Sequence, residues 1–143
     1  AAKASMHHVG NSLSEELIMK MQGTIEFTIV ERSDDRVVSE MPITAGMRNP
    51  YGVVQAGAML WFADVTASVL LMGGQSQPTE GMKGFPLAIN LNANFLGNQS
   101  EGCYRAVSAF VKRGKSVSVV RTTVYGESDR LIADVTTNHV LSR

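Results

Sequence analysis

The sequence predicts an α+β fold: a curved antiparallel sheet wrapped around one long central helix. Three observations predict it. First, Asn49–Met72 is a polar turn opening onto a helical stretch that is apolar on nearly every side, and such a helix belongs inside something. Second, from Leu87 onward the hydrophobic period becomes two and stays there through four strand-like runs joined by short turns. Third, two more alternating runs precede the helix. A sheet that curls round the helix is the arrangement that buries it.

Taken in order, Ser12-Leu13-Ser14-Glu15 has capping-box spacing, Leu13, Leu17, Ile18 and Met21 share one face, and Gly23 ends the turn, so a short helix is expected first. Thr24–Glu31 alternates and Arg36–Ile43 follows across Ser33-Asp34-Asp35, the pattern of a hairpin. Thr44–Tyr51 is a loop, and Gly73–Gly84 is a second, flexible one. Leu87, Ile89, Leu91, Ala93 and Phe95 should then share one face of a strand, with Asn90, Asn92 and Asn94 on the other. Cys103–Lys112, Ser116–Tyr125 and Leu131–Leu141 complete what reads as a four-stranded meander. Residues 1–11 are expected to be a flexible N-terminal segment and residues 12–143 a single domain. The architecture is the one called the hotdog fold.

Composition narrows the function. The chain has 143 residues, enough for one sizeable core. Its 13 basic and 13 acidic side chains cancel, so no broad footprint for nucleic acid is expected, and little charge repulsion opposes self-association. Asp64, Gln55, Thr66 and Ser68 interrupt the long apolar segment, which argues against a membrane span. No signal peptide is visible. The one cysteine, Cys103, excludes an internal disulfide and fits a reducing, cytoplasmic compartment. His7, His8 and His139 lack metal-ligand spacing, and neither a Gly-x-Ser-x-Gly elbow nor a phosphate-binding glycine loop is present.

One residue stands out. Asp64 is the only side chain between Arg48 and Glu80 that is charged at neutral pH, in the middle of an apolar helix. Burying a carboxylate without a partner costs several kcal/mol, so it needs a partner or a task. Ser68 lies four residues on and shares its face.

Asn49-x-x-Gly52-x-x-Gln55-Ala56-Gly57-Ala58, followed by Asp64 and Ser68, resembles the signature of hotdog-fold acyl-CoA thioesterases of the phenylacetate-pathway and hydroxybenzoyl-CoA type. Leu91-Asn92-Ala93-Asn94-Phe95-Leu96 and Lys112-Arg113-Gly114-Lys115-Ser116 agree with it. The chain departs from the family pattern at Gln55, where histidine is common, and at Ala56, where glycine is common.

The resemblance implies hydrolysis of acyl-CoA thioesters with no cofactor and no metal, CoA being part of the substrate. Asp64 would be base or nucleophile, and the amides of Ala56 and Gly57 at the helix N-terminus would polarise the carbonyl. Asn49 and Gln55 would fix the thioester or water, and Ser68 would assist Asp64. Arg113 and Lys115 would meet CoA phosphates, and Trp61 would offer an apolar contact. Gly57 and Asp64 lie seven residues apart, roughly 10 Å of helix, so one carbonyl does not easily reach both. An antiparallel second copy solves this. A homodimer, or a tetramer built as a dimer of dimers, is therefore expected, as in the family. Two alternatives stay open at this point: a non-catalytic acyl-CoA-binding protein on the same fold, and a ligand-free oligomeric interaction protein.

Overall fold

The structure, a computed structural model, describes residues 19–73 and 84–141. Six strands and one long helix carry it: β1 (Thr28–Arg32), β2 (Arg36–Pro42), α1 (Ala56–Met72), β3 (Pro86–Phe95), β4 (Cys103–Lys112), β5 (Ser118–Tyr125) and β6 (Leu131–Leu141). The strands form one antiparallel sheet in the order β1-β2-β4-β5-β6-β3, and α1 packs against its inner face. The predicted architecture is the observed one.

Phe62, Met59 and Ala63 of α1 join Met41 of β2, Tyr104 of β4, Val124 of β5 and Ile132 and Val135 of β6 in the main core. A second cluster lies toward the helix C-terminus around Val37, Ala67, Leu70 and Val120. The polar groups buried here are paired where the sheet meets the helix. Thr66 donates to the Phe62 carbonyl at 2.7 Å and bonds Ser39 at 3.0 Å, and Ser108 bonds Thr122 at 2.5 Å. Gly73, with φ at +60°, ends α1 in a conformation open to glycine.

Four expectations need correction. Met19–Gln22 carry no helix, and residues 12–18 lie outside the described residues. Met19 and Met21 are exposed, so the described end of the predicted helix has no core to bury it, and a short helix is marginal without one. The expected loop from Gly73 to Gly84 lies almost wholly outside the described residues. The first strand is shorter than Thr24–Glu31, because Thr24 leaves the ladder and bonds the Gly46 carbonyl at 3.0 Å.

The third correction concerns topology. Only β4, β5 and β6 form a meander; β3 pairs with β6, and β2 takes the place beside β4. A hairpin needs a tight loop closing on itself. Leu96–Gly102 instead crosses the end of the sheet, with the Leu96 and Gly97 amides on the Ile132 carbonyl at 2.7 and 3.1 Å and the Gln99 side chain accepting from the Glu127 amide at 3.0 Å. The fourth concerns phase. A bulge at Ile89 breaks the alternation of β3. Ala88, Leu91, Ala93 and Phe95 stand opposite His139, Thr137, Val135 and Ala133, whereas Leu87 stands opposite Val140. Leu87 therefore falls out of step with Leu91.

Candidate active site

One stripe of α1 keeps access to solvent: Gly57, Leu60, Trp61, Asp64, Val65, Ser68 and Leu71. Their spacing of three and four is that of a single helix face. The two edges of the curled sheet flank it. Phe27, just ahead of β1, meets Trp61 edge-on with ring centroids 4.8 Å apart. A cavity of about 580 Å3 beside Asp64 is walled by Ile29 and Arg32 on one side and by Pro86, Leu87 and Ala88 of β3 on the other. Ser68, Val69 and Met72 share that cavity with Asp64.

At the other end of the stripe the helix opens without a cap. Gln55 is the N-cap in extended conformation, φ −67° and ψ 142°, and its side chain does not cap. The amides of Ala58 and Met59 both donate to the Gln55 carbonyl, at 3.1 and 3.4 Å. The amides of Ala56 and Gly57 have no acceptor among the described residues, as the first turn of a helix allows. They adjoin a second cleft of about 720 Å3, lined by Gln22, Gly23, Asn49, Gln55 and Gly57 among others. A Cβ added at Gly57 would meet nothing within 4 Å, so packing within the chain does not demand glycine there.

Asn49 shapes the approach to this end. Its Oδ1 accepts from the amides of Tyr51 at 2.9 Å and Val53 at 3.3 Å, an Asx-type turn. The Gln55 side chain reaches the Arg48 carbonyl only at 3.5 Å. Asn98 pins the segment from the far side. Its Nδ2 donates to the Val54 carbonyl at 3.2 Å and its Oδ1 accepts from the Val54 amide at 3.2 Å. Tyr104 donates to the same Oδ1 at 2.9 Å, and Arg130 bonds the Asn98 carbonyl. No local pattern signals this, since Val54 is 44 residues away.

Asp64 has a buried Oδ1 with no hydrogen-bond partner among the described residues. Ser68 makes no hydrogen bond among them either, so its hydroxyl is not spent on its own helix. The sequence missed a third member of this neighbourhood. His139, 1% exposed on β6, bonds Thr137 Oγ1 through Nε2 at 2.7 Å, while its Nδ1 is buried without a partner. Burial pushes the His139 imidazole below its usual 6.5, and the charge of Asp64 opposes that shift in part. Only the fold brings residues 64 and 139 together.

A pH dependence of stability follows. The folded chain holds a proton on His139 less tightly than the unfolded chain does, so the unfolded state binds more protons below pH 6.5. Stability is full above that value and is lost as pH falls through the depressed folded value. The expected slope is at most about 1.4 kcal/mol per pH unit for one proton. Thermal melts between pH 7.5 and 5 check it, and His139→Asn should flatten that part of the curve.

Arg113 and Lys115 sit on the β4–β5 turn. Arg113 donates to the Asp34 carbonyl at 2.6 Å, lies 3.5 Å from Asp35, and stacks on Phe110 at 4.3 Å. Lys115 is exposed and has no hydrogen bond or ion pair among the described residues. The structure thus gathers Asn49, Gln55, Ala56 and Gly57 at one cleft and Asp64 and Ser68 at another, with Trp61 between. Among the described residues no three His, Cys, Asp or Glu side chains could share a metal ion, and no helix is long and apolar enough to cross a membrane.

Known proteins show the same arrangement of chain. No protein-family model matches it. ComA2 of Bacillus subtilis (strain 168), a protein designated an esterase, is 30% identical over 104 residues, which is 73% of this chain and 79% of that one. The 1,4-dihydroxy-2-naphthoyl-CoA hydrolase of Listeria monocytogenes (serotype 1/2a, strain 10403S) is 25% identical over 114 residues, 80% of this chain and 89% of that one. Among solved structures, a mutant of the thioesterase SAV0944 from Staphylococcus aureus Mu50 superimposes with a TM-score of 0.74 at 23% identity, covering 82% of this chain and 93% of that one. The protein smu.793 of Streptococcus mutans UA159, bound to acetyl CoA, gives 0.73 at 15% identity, covering 88% and 96%. At those identities the two structures speak to the fold.

Proposed function

The chain belongs to the hotdog-fold acyl-CoA thioesterases, and on that premise we propose that it cleaves acyl-CoA at two equivalent sites, each made from the helix N-terminus of one protomer and the Asp64 of the other. One observation carries the reading. The amides and the carboxylate, none with a partner among the described residues, lie on the same open stripe of α1 but in different cavities. They are roughly 10 Å apart along the axis. A second copy, running antiparallel along that stripe, brings each donor pair to a carboxylate.

The surfaces beside the stripe support this. β3 is an edge strand of ten residues whose outer backbone is unpaired among the described residues, and Leu87, Ile89, Leu91 and Phe95 on it are exposed. A long apolar edge is a template for pairing, so β3 joins its own copy and the two helices meet.

At each site the thioester oxygen takes hydrogen bonds from the Ala56 and Gly57 amides, where the helix dipole favours developing negative charge. The partner's Asp64 either removes a proton from water or attacks the acyl carbon itself. Both routes add the elements of water across the C–S bond and release a carboxylic acid and the CoA thiol. Ser68 holds the water near Asp64, Gln55 and Asn49 shape the mouth at the amide end, and Trp61 forms an apolar wall. Lys115 meets CoA phosphate more readily than Arg113, whose guanidinium is already engaged.

The test is release of free thiol from a panel of acyl-CoAs, short aliphatic to aromatic. Turnover of at least one is expected; binding of all without turnover overturns the reading. A narrower prediction concerns the phosphate contact. Lys115→Ala should raise KM for acyl-CoA by about two- to fivefold, the size of an exposed ion pair. KM for the matching acyl-pantetheine should not move. An equal effect on both substrates assigns Lys115 to the solvated surface.

A further inference from the structure

Two buried polar atoms near the Asp64 cavity have no partner among the described residues: Asp64 Oδ1 and His139 Nδ1. The sheet register places His139 beside a wall of that cavity. His139 stands opposite Ala88 on β3, and Ala88 lines the cavity that holds Asp64. No direct hydrogen bond joins the two atoms, and a bridging water is the link that would satisfy both. Buried sites with two or more polar groups facing one another are where such waters reside.

We infer that His139 is a positioning residue for Asp64: its Nδ1–H, through one bridging water, holds Oδ1 and turns Oδ2 toward the substrate. This rests on the role proposed above for Asp64. In this arrangement the Thr137 hydroxyl, 2.7 Å from Nε2, is the donor, which leaves the ring proton on Nδ1, as a hydrogen bond to one ring nitrogen sets the tautomer of the other. The neutral ring is the working form. Burial favours it, and the charged groups around it are few: Asp64 from α1 and Arg32 from β1 at the cavity wall. β3 offers Pro86, Leu87 and Ala88, and β5 offers Ser118 opposite the ring, none of which titrates. When His139 gains a second proton, the imidazolium withdraws charge from Asp64 and weakens it as a base, so kcat falls on the acid side.

Two variants and one spectroscopic measurement test this. His139→Leu removes the donor and should lower kcat by about 10–100-fold, the range for losing the group that orients a reactive side chain, with KM little changed. His139→Asn places an amide donor where Nδ1 was. It should restore most of that loss and move the acid limb of the kcat profile to lower pH. A folded His139→Leu enzyme with wild-type kcat and pH profile overturns the inference, as does an Asn variant no better than Leu at equal melting temperature. Activity need not enter the third arm. NMR of nitrogen-15-labelled histidine follows the His139 titration in wild type and in Asp64→Asn. Removing the carboxylate charge should lower the midpoint, and an unmoved midpoint overturns the coupling whatever the kinetics show. A moved midpoint in an Asp64→Asn enzyme that still turns over supports the pair while the catalytic role of Asp64 fails.

Discussion

Asp64→Asn lowers kcat by about 10²–10⁴-fold, the loss typical for a missing general base, and leaves the melting temperature unchanged or slightly higher. The structure separates this from a structural role. A carboxylate kept for the fold holds a hydrogen bond to its own chain, but Asp64 Oδ1 is buried and holds none among the described residues. A buried acceptor left unsatisfied costs about 1–3 kcal/mol. An amide of nearly the same shape breaks no bond there and carries no charge to desolvate. Stability given up at a reactive group is a common feature of active sites. The measurement is kcat beside the melting temperature, with acyl-CoA binding as a control. A stable Asn variant with near-normal kcat removes Asp64 from the chemistry.

What was legible in the sequence was what local pattern encodes. The long helix is apolar on nearly every side because the sheet curls round it, and that is visible in Asn49–Met72 without any structure. Asp64 is legible for the same reason: a charge in an apolar run has no local explanation. Gly57 reads as a candidate from its place at a helix start, and the open space over it agrees. Strand neighbours were not legible. Gly97-Asn98-Gln99-Ser100 says that a strand ends but not that the chain crosses the sheet, because the deciding bonds go to Ile132 and Glu127. The bulge at Ile89 hides inside a clean alternation of Leu, Ile and Leu. His139 was passed over because its neighbours in sequence are ordinary strand residues. Its unpartnered Nδ1 and its nearness to Asp64 exist only once β6 lies beneath α1. Asn98 is the same case, a turn residue in sequence and a clamp on the helix start in space.

Mixing two inactive variants should restore activity. Ala56→Pro removes one of the two free amides at the helix start, and the local backbone accepts it. Gln55 already holds φ −67° and ψ 142°, the conformation a residue before proline prefers, and proline is favoured at the first helical position. Losing one oxyanion donor costs about 10²–10³-fold in kcat. Asp64→Asn disables the other half. If each site takes its amides from one protomer and its carboxylate from the other, a mixed dimer has one site with both defects and one site with neither. Equal mixing after subunit exchange makes half the dimers mixed, each with one intact site of two, so about a quarter of wild-type activity returns under twofold symmetry. If amides and carboxylate act within one chain, every site carries one defect and nothing returns. The assay is thiol release from the best acyl-CoA substrate, before and after partial denaturation and refolding together. Sedimentation shows in parallel that the variants still assemble. Recovery near a quarter establishes the shared site, and recovery at the level of either variant alone rejects it.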